Sequence, residues 1–277
     1  MTDHDLQTRY GIKYNPFLPA IPARDLWRPP GFEAFVFRLR SLLSHGGFGV
    51  ISGESGLGKS KTLHLLADWL SEHDDLSVGV MVRPQSTTGD FYRELGQLYG
   101  VDLSPANRYG GFRALRARFR KHIQTSLMRP VLLVDEAQEC CSDTLTELRL
   151  LGSDNFDSVQ LLTVVLCGDD RLPERFRERS LVPLGGRVRA RLTLRPFEAA
   201  TMSEFLDHIL EHSSASALVS PGLRAALVEH SGGNLRILTV MGDELLSYAA
   251  HNELSVLDEG VFFELFGQPR KKSRRSR

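Results

Sequence analysis

Gly53-Glu54-Ser55-Gly56-Leu57-Gly58-Lys59-Ser60 decides how the rest of the chain is read. It has the spacing G-x4-G-K-S and follows an apolar run, Phe48-Gly49-Val50-Ile51-Ser52, that predicts a strand. Behind it Leu63, Leu66, Ala67 and Leu70 recur at helical spacing. Strand, glycine-rich loop and helix in that order make a phosphate cradle. The glycines let the backbone curl so that successive N–H groups face a phosphate, at a helix N-terminus whose dipole favours anions. Lys59 is expected to reach the β- and γ-phosphates of ATP and the Ser60 hydroxyl to ligate Mg2+. Glu54, Ser55, Leu57 and Lys61 complete the nucleotide-binding segment.

At 277 residues the chain has room for one αβα nucleotide domain and a smaller appendage. Apolar residues make up 42% and charged residues 25%, the balance of a globular protein with a buried core. No apolar run is long enough to span a bilayer, and Leu161 to Cys167 fits a buried strand. Met1-Thr2-Asp3-His4-Asp5 lacks the basic-then-apolar layout of a signal peptide, so a cytoplasmic protein without a membrane partner is expected. Cys140, Cys141 and Cys167 have neither metal-ligand nor disulfide spacing.

The formal net charge of zero is unevenly spread. Pro269 to Arg277 holds six basic residues and no acid, leaving 28 basic against 34 acidic residues in 1–268. Between Leu103 and Pro130 there are seven basic residues and again no acid. Two basic segments on an acidic body point to a polyanionic partner, although a solvated terminus explains the tail equally well.

Four regions follow from the pattern: an N-terminal arm over 1–30, an αβα nucleotide domain over 31–196, a helical lid over 197–268 and a basic tail over 269–277. Helices are expected near 32–44, 90–99, 112–126, 143–151 and 172–179, alternating with strands near 76–82, 131–134, 161–167 and 188–194. Such alternation predicts a parallel sheet covered by helices on both faces. Beyond Pro196 the strand signals stop. Thr201-x-x-Glu204 reads as a capping box, Ser220-Pro221 as a helix start, and Gly232-Gly233 as a break before a helix over 235–250, with a last helix over 256–266.

Asp135-Glu136 follows the apolar strand Val131 to Val134. Asp135 is placed to hold Mg2+ opposite Ser60, and Glu136 to orient and deprotonate an attacking water.

With these residues in view, the chain resembles the P-loop AAA+ ATPases, in the branch with ExeA-type secretion ATPases and transposon-targeting ATPases of the TnsC, TniB and IstB type. The resemblance rests on Tyr10-Gly11-Ile12 with Asn15-Pro16-Phe17, the phosphate loop, Asp135-Glu136-Ala137-Gln138, Gly186-Arg187-Val188 and Gly233-Asn234-Leu235-Arg236. It implies a homo-oligomer, a ring or helical filament, in which a neighbour's arginine completes the ATP site. Arg187 holds that finger position, with Arg179 and Arg189 in reserve, and Arg236 matches the sensor 2 arginine. Asn15 and Phe17 correspond to an arm near the adenine, or form a simple turn. Sensor 1 departs from the family pattern. Cys167 is a poor donor there, so hydrolysis is expected to be slow or the role to fall to Asp169.

Phe112, Leu115, Phe119 and Ile123 form an apolar stripe, while Arg113, Arg116, Arg118, Arg120 and Lys121 make the rest of that helix basic. The resemblance implies duplex-DNA backbone contact there, with Arg83 and the Ser86-Thr87-Thr88 loop contributing. The favoured expectation is an ATP-dependent regulator that assembles on DNA and recruits a DDE transposase, with or without a target-selection adaptor. The alternatives are an ExeA-like secretion ATPase, for which a downstream membrane segment and wall-binding domain would be expected where this chain has a basic tail, and a signalling NTPase without DNA.

Overall fold

A computed structural model describes residues 3–82, 87–102 and 108–267. The chain divides into two compact units, one of residues 28–195 and one that joins residues 1–27 to 196–277.

Within 28–195, five parallel strands form the central sheet: β1 (Gly47–Gly53), β2 (Leu76–Met81), β3 (Arg129–Val134), β6 (Thr163–Gly168) and β7 (Val188–Leu194). A small antiparallel hairpin, β4 (Ser153–Asp154) with β5 (Val159–Gln160), precedes β6. Sheet order is β2-β3-β6-β1-β7. The chain leaves β1 for the far edge, returns through β3 and β6, and then places β7 on the other side of β1. That reversal opens a crevice beside the carboxyl end of β1, where open parallel sheets bind ligands. The inner strands β1 and β6 are buried at every residue, as a strand covered on both faces must be. Edge strand β7 alternates, with Ala190, Leu192 and Leu194 inward and Arg189 and Arg191 exposed.

One face of the sheet packs Phe48, Val50, Leu132, Val134, Val164 and Leu166 in a core with Phe91, Leu95, Leu115, Phe119 and Leu148. Leu115 and Phe119 are fully buried, and Phe112 and Ile123 pack beside them, so the predicted stripe anchors the basic helix Arg108–Lys121. That helix does not run regularly to Ser126. It opens into a single π-turn over His122–Ser126, closed by Leu127 in the left-handed conformation. The helix expected over 172–179 is regular only at Arg171–Arg175, and a second short helix, Val182–Gly185, follows.

The other unit is helical. Helices Ala199–His212, Pro221–Ser231, Leu235–His251 and Glu259–Phe266 bury Leu206, Leu223, Leu238, Leu245 and Phe262 together with Leu6, Ile12 and Phe17 from the chain's start. The first residues are more than an arm, since Asp3–Tyr10 is a helix. Ser220 caps its helix by accepting from Leu223 N–H, with Pro221 in the first turn. The capping box at Thr201 does not form. Glu198 is the N-cap and the helix starts at Ala199, three positions early, because Ala199-Ala200 favours helix. At the last helix the start is late, at Glu259, because the Asp258 carboxylate accepts from Val261 N–H and fixes the boundary.

Candidate nucleotide site

The phosphate loop leaves β1 at Gly53, where a Cβ would overlap the Leu194 carbonyl of β7, and φ is +153°. Only glycine meets both conditions. The loop then turns through Gly56 and Gly58 with left-handed backbones, and Gly58 is the N-cap of the helix Lys59–Ser71. Leu57 is buried and pins the turn, while Glu54, Ser55 and Ser60 face solvent. Lys59 Nζ donates to the Glu54 carbonyl at 2.9 Å, which holds the ammonium over the loop. Lys61 is half-buried in the first helical turn.

Strand β3 ends beside this loop, with β6 between it and β1. Asp135 N–H continues the ladder to the Met81 carbonyl at 2.9 Å. Asp135 Oδ1 accepts from Glu136 N–H at 2.9 Å, and Glu136 takes a left-handed backbone, φ +50°, unusual for a residue with a side chain. The turn leaves Glu136 exposed at the end of the strand. Cys167, near the end of β6, couples these groups. Burial pushes its thiol well above the ordinary range and the hydrogen-bonded Asp135 carboxylate adds to it, with Lys59 opposing and Glu136 reinforcing. Lys59, Asp135, Glu136 and Cys167 thus share one electrostatic neighbourhood. Ser60 hydroxyl and Asp135 carboxylate are hard oxygen donors, the set Mg2+ takes.

Asp169 is committed to Arg171, accepting from its backbone N–H at 3.0 Å and from Nε at 2.9 Å. Although burial opposes it, those bonds and the charges of Arg171 and Lys59 keep its carboxyl below the ordinary value. Gln138, which sequence alone does not place, is buried at this same corner. Arg175 was also missed. Its guanidinium donates to the Gln138 and Cys140 carbonyls at 2.7 and 2.6 Å and braces the turn from behind.

The remaining candidates stand on other elements. Arg187 donates to the Pro183 carbonyl at 2.5 Å and pairs with Asp157 of the hairpin. Arg179 and Arg189 are exposed. In the helical unit Arg236 stands in the first turn of Leu235–His251, its N–H and that of Ile237 capped by Asn234 Oδ1. Asn15 is buried there too, donating to Asp243 at 2.7 Å and accepting from Phe17 N–H at 2.9 Å, so its amide closes a local turn.

The basic helix is partly neutralised by its own fold. Arg116 Nη2 and Arg120 Nη2 both donate to Asp154 Oδ1 at 2.6 Å, and Arg120 Nε to Oδ2 at 2.8 Å. The Arg120 hydrogen bonds hold the Asp154 carboxyl well below the usual range against its burial, and Arg116 adds to the effect. Arg118 Nε donates to the Tyr99 carbonyl at 3.0 Å, and Arg113 lies over the Tyr109 ring at 5.8 Å. Lys121 is exposed. Thr87 caps the helix Thr88–Tyr99, whereas Arg83, Ser86 and the basic tail fall outside the described residues. No described helix is long and apolar enough to cross a membrane.

Residues 40–176 match the family described as AAA domain. The General secretion pathway protein A of Aeromonas hydrophila is 26% identical over 250 residues, an alignment covering 83% of this chain and 45% of that protein. The chain therefore spans less than half the length of that curated relative. Among solved structures, Cdc6p from Pyrobaculum aerophilum superposes with a TM-score of 0.68 at 15% identity, covering 87% of this chain and 67% of that one. The Aeropyrum pernix ORC1 protein in complex with DNA gives 0.66 at 15% identity, covering 89% and 67%. With its phosphate loop, five-stranded parallel sheet and helical unit, the chain has the fold of the P-loop AAA+ ATPases, and the AAA-domain match over 40–176 supports ATPase activity with ATP and Mg2+.

Proposed function

We propose that this chain is the ATPase module of a secretion-associated assembly of the General secretion pathway protein A kind, working as a homo-oligomer whose nucleotide state controls its contacts. The observation that carries the affiliation is the 26% identity over 250 residues, long enough to run beyond the 40–176 segment of the family match. Within the site, Lys59 binds the β- and γ-phosphates, Ser60 and Asp135 hold the metal, and Glu136 takes a proton from the attacking water. Bound Mg2+ would neutralise charge on the phosphate oxygens. Arg187 supplies the arginine of a neighbouring copy, a contribution on the order of 10³–10⁵ in rate. To do so it must leave Asp157, which makes the finger conditional on assembly.

Glu136→Gln tests the site. ATP binding should persist while turnover falls by roughly 100-fold or more, with ATP-bound oligomer accumulating on size-exclusion chromatography. Wild-type turnover in that variant removes Glu136 from the role of base.

A second reading keeps duplex DNA and a transposase, with or without a target-selection adaptor, as partners. It is supported by the exposed Arg113 and Lys121 and by the likeness in fold to ORC1 solved with DNA. Fluorescence anisotropy with duplex DNA, with and without ATP at several salt concentrations, separates the two. ATP-dependent, salt-sensitive binding favours the second reading, and its absence leaves the first.

A further inference from the structure

We infer that Gln138 is the positioning residue for the general base, holding the Glu136 carboxylate against the end of β6. This rests on the reading of Glu136 as the base. An exposed glutamate on a left-handed turn has no packing to fix its rotamer, and a base displaced by an ångström loses much of its effect. The Gln138 side chain supplies what packing does not.

Gln138 Nε2 donates to Glu136 Oε2 at 2.5 Å, and Gln138 Oε1 accepts from the backbone N–H of Asp169 at 3.1 Å. The two bonds fix the amide orientation together. A backbone N–H can only donate, so the amide oxygen must face Asp169, and that leaves the NH2 for the carboxylate. The body of Gln138 is itself held. It is 7% exposed and its carbonyl accepts from Arg175 at 2.7 Å. Strand β6 makes room for it. A Cβ on Gly168 would overlap Gln138 Oε1 and lie 3.3 Å from Gln138 N, so glycine at the strand end is what admits the amide. Cys167, one residue earlier, is buried beside Asp135 and is a weak donor. The polar link from β6 to the reacting water therefore runs from the Asp169 backbone through Gln138 to Glu136, without using the side chain at the strand end.

A residue that only satisfies the Asp169 N–H would affect stability, whereas a positioning residue affects turnover at constant nucleotide affinity. Gln138→Glu keeps the size and the acceptor toward Asp169 but sets a carboxylate against Glu136. Gln138→Met keeps the length and removes both bonds. Steady-state ATPase assays on the oligomeric protein should show kcat reduced roughly ten- to hundred-fold in both variants, with fluorescent-ATP affinity within about two-fold of wild type. Gly168→Ala should reproduce the loss by expelling the amide, and should cost little more once Gln138→Ala has removed the obstacle. Wild-type kcat in Gln138→Glu, or full additivity of Gly168→Ala with Gln138→Ala, overturns the inference. Glu136→Gln run alongside keeps the two ideas apart. If it is inactive while Gln138→Glu turns over normally, only the positioning role falls, and if it turns over normally the base itself falls.

Discussion

The phosphate loop and the arginine helix present positive charge on different terms. In the loop, Lys59 donates to a backbone carbonyl rather than to a carboxylate, above a turn shaped by three glycines. In the helix Arg108–Lys121, Arg116 and Arg120 close on one carboxylate, Asp154, from the hairpin β4–β5. Arg187 is handled in the same way by Asp157 of that hairpin. A backbone carbonyl carries no net charge, so Lys59 need not break an ion pair to take a phosphate. An arginine already paired to aspartate must exchange one anion for another, and the gain is correspondingly smaller. The difference shows that charge at a site and charge available to a ligand are separate quantities.

Lys59→Ala breaks the comparison on its stronger side. It removes the ammonium without disturbing the core, and nucleotide affinity measured by fluorescent-ATP titration should fall by roughly 100-fold or more. Assembly that depends on nucleotide should be lost with it. Persisting assembly in this variant would make ATP incidental to oligomer formation.

What could be read from sequence divides along the same line. The loop, its strand and its helix are local, and their cues lie within about two dozen residues, so glycine spacing and apolar periodicity suffice. The Ser220 cap was legible for the same reason. Helix Asp3–Tyr10 was not, because within its eight residues Leu6 and Tyr10 pack inward, too short a run to show a period. Nor was the hairpin, whose strands are two residues each and whose tip, Asn155-Phe156-Asp157, turns through three left-handed backbones without a glycine to signal it. No acid lies between residues 103 and 130, yet the carboxylate that meets Arg116 and Arg120 arrives from position 154. Gln138 was unplaceable because its partner, the Asp169 N–H, is brought to it by the pairing of β3 with β6.

Asp154→Ala should have a smaller effect and sharpens the other side. It strands Arg116, whose side chain is 18% exposed, more than Arg120 at 45%. A loss of about 1–3 kcal/mol in urea unfolding is expected, toward the lower end because water can replace the partner of Arg120. The sign with pH follows from the depressed Asp154 carboxyl. Its contribution is present above the unfolded carboxylate value of about 3.9 and disappears as pH falls through the lower folded value. Wild type and variant should therefore differ at neutral pH and converge in strong acid. A difference that grows toward acid would mean that Asp154 is not the stabilising anion.

The smallest expected effects belong to Arg113→Ala and Lys121→Ala, and these decide whether the helix retains any charge for DNA. Arg113 faces an aromatic ring and Lys121 is exposed, so each substitution should change stability by no more than about 0.5 kcal/mol. Their signal would lie in salt dependence. Each phosphate contact contributes about −0.9 to the slope of log affinity against log salt on duplex DNA, so losing one should flatten the slope by about that amount. Asp154→Ala should steepen it, because it releases two guanidinium groups. Flattening in the first pair with steepening in the third variant identifies a phosphate-binding face partly masked by the hairpin. If all three slopes match the wild type, the arginines serve the fold, and the secretion-associated reading stands without DNA.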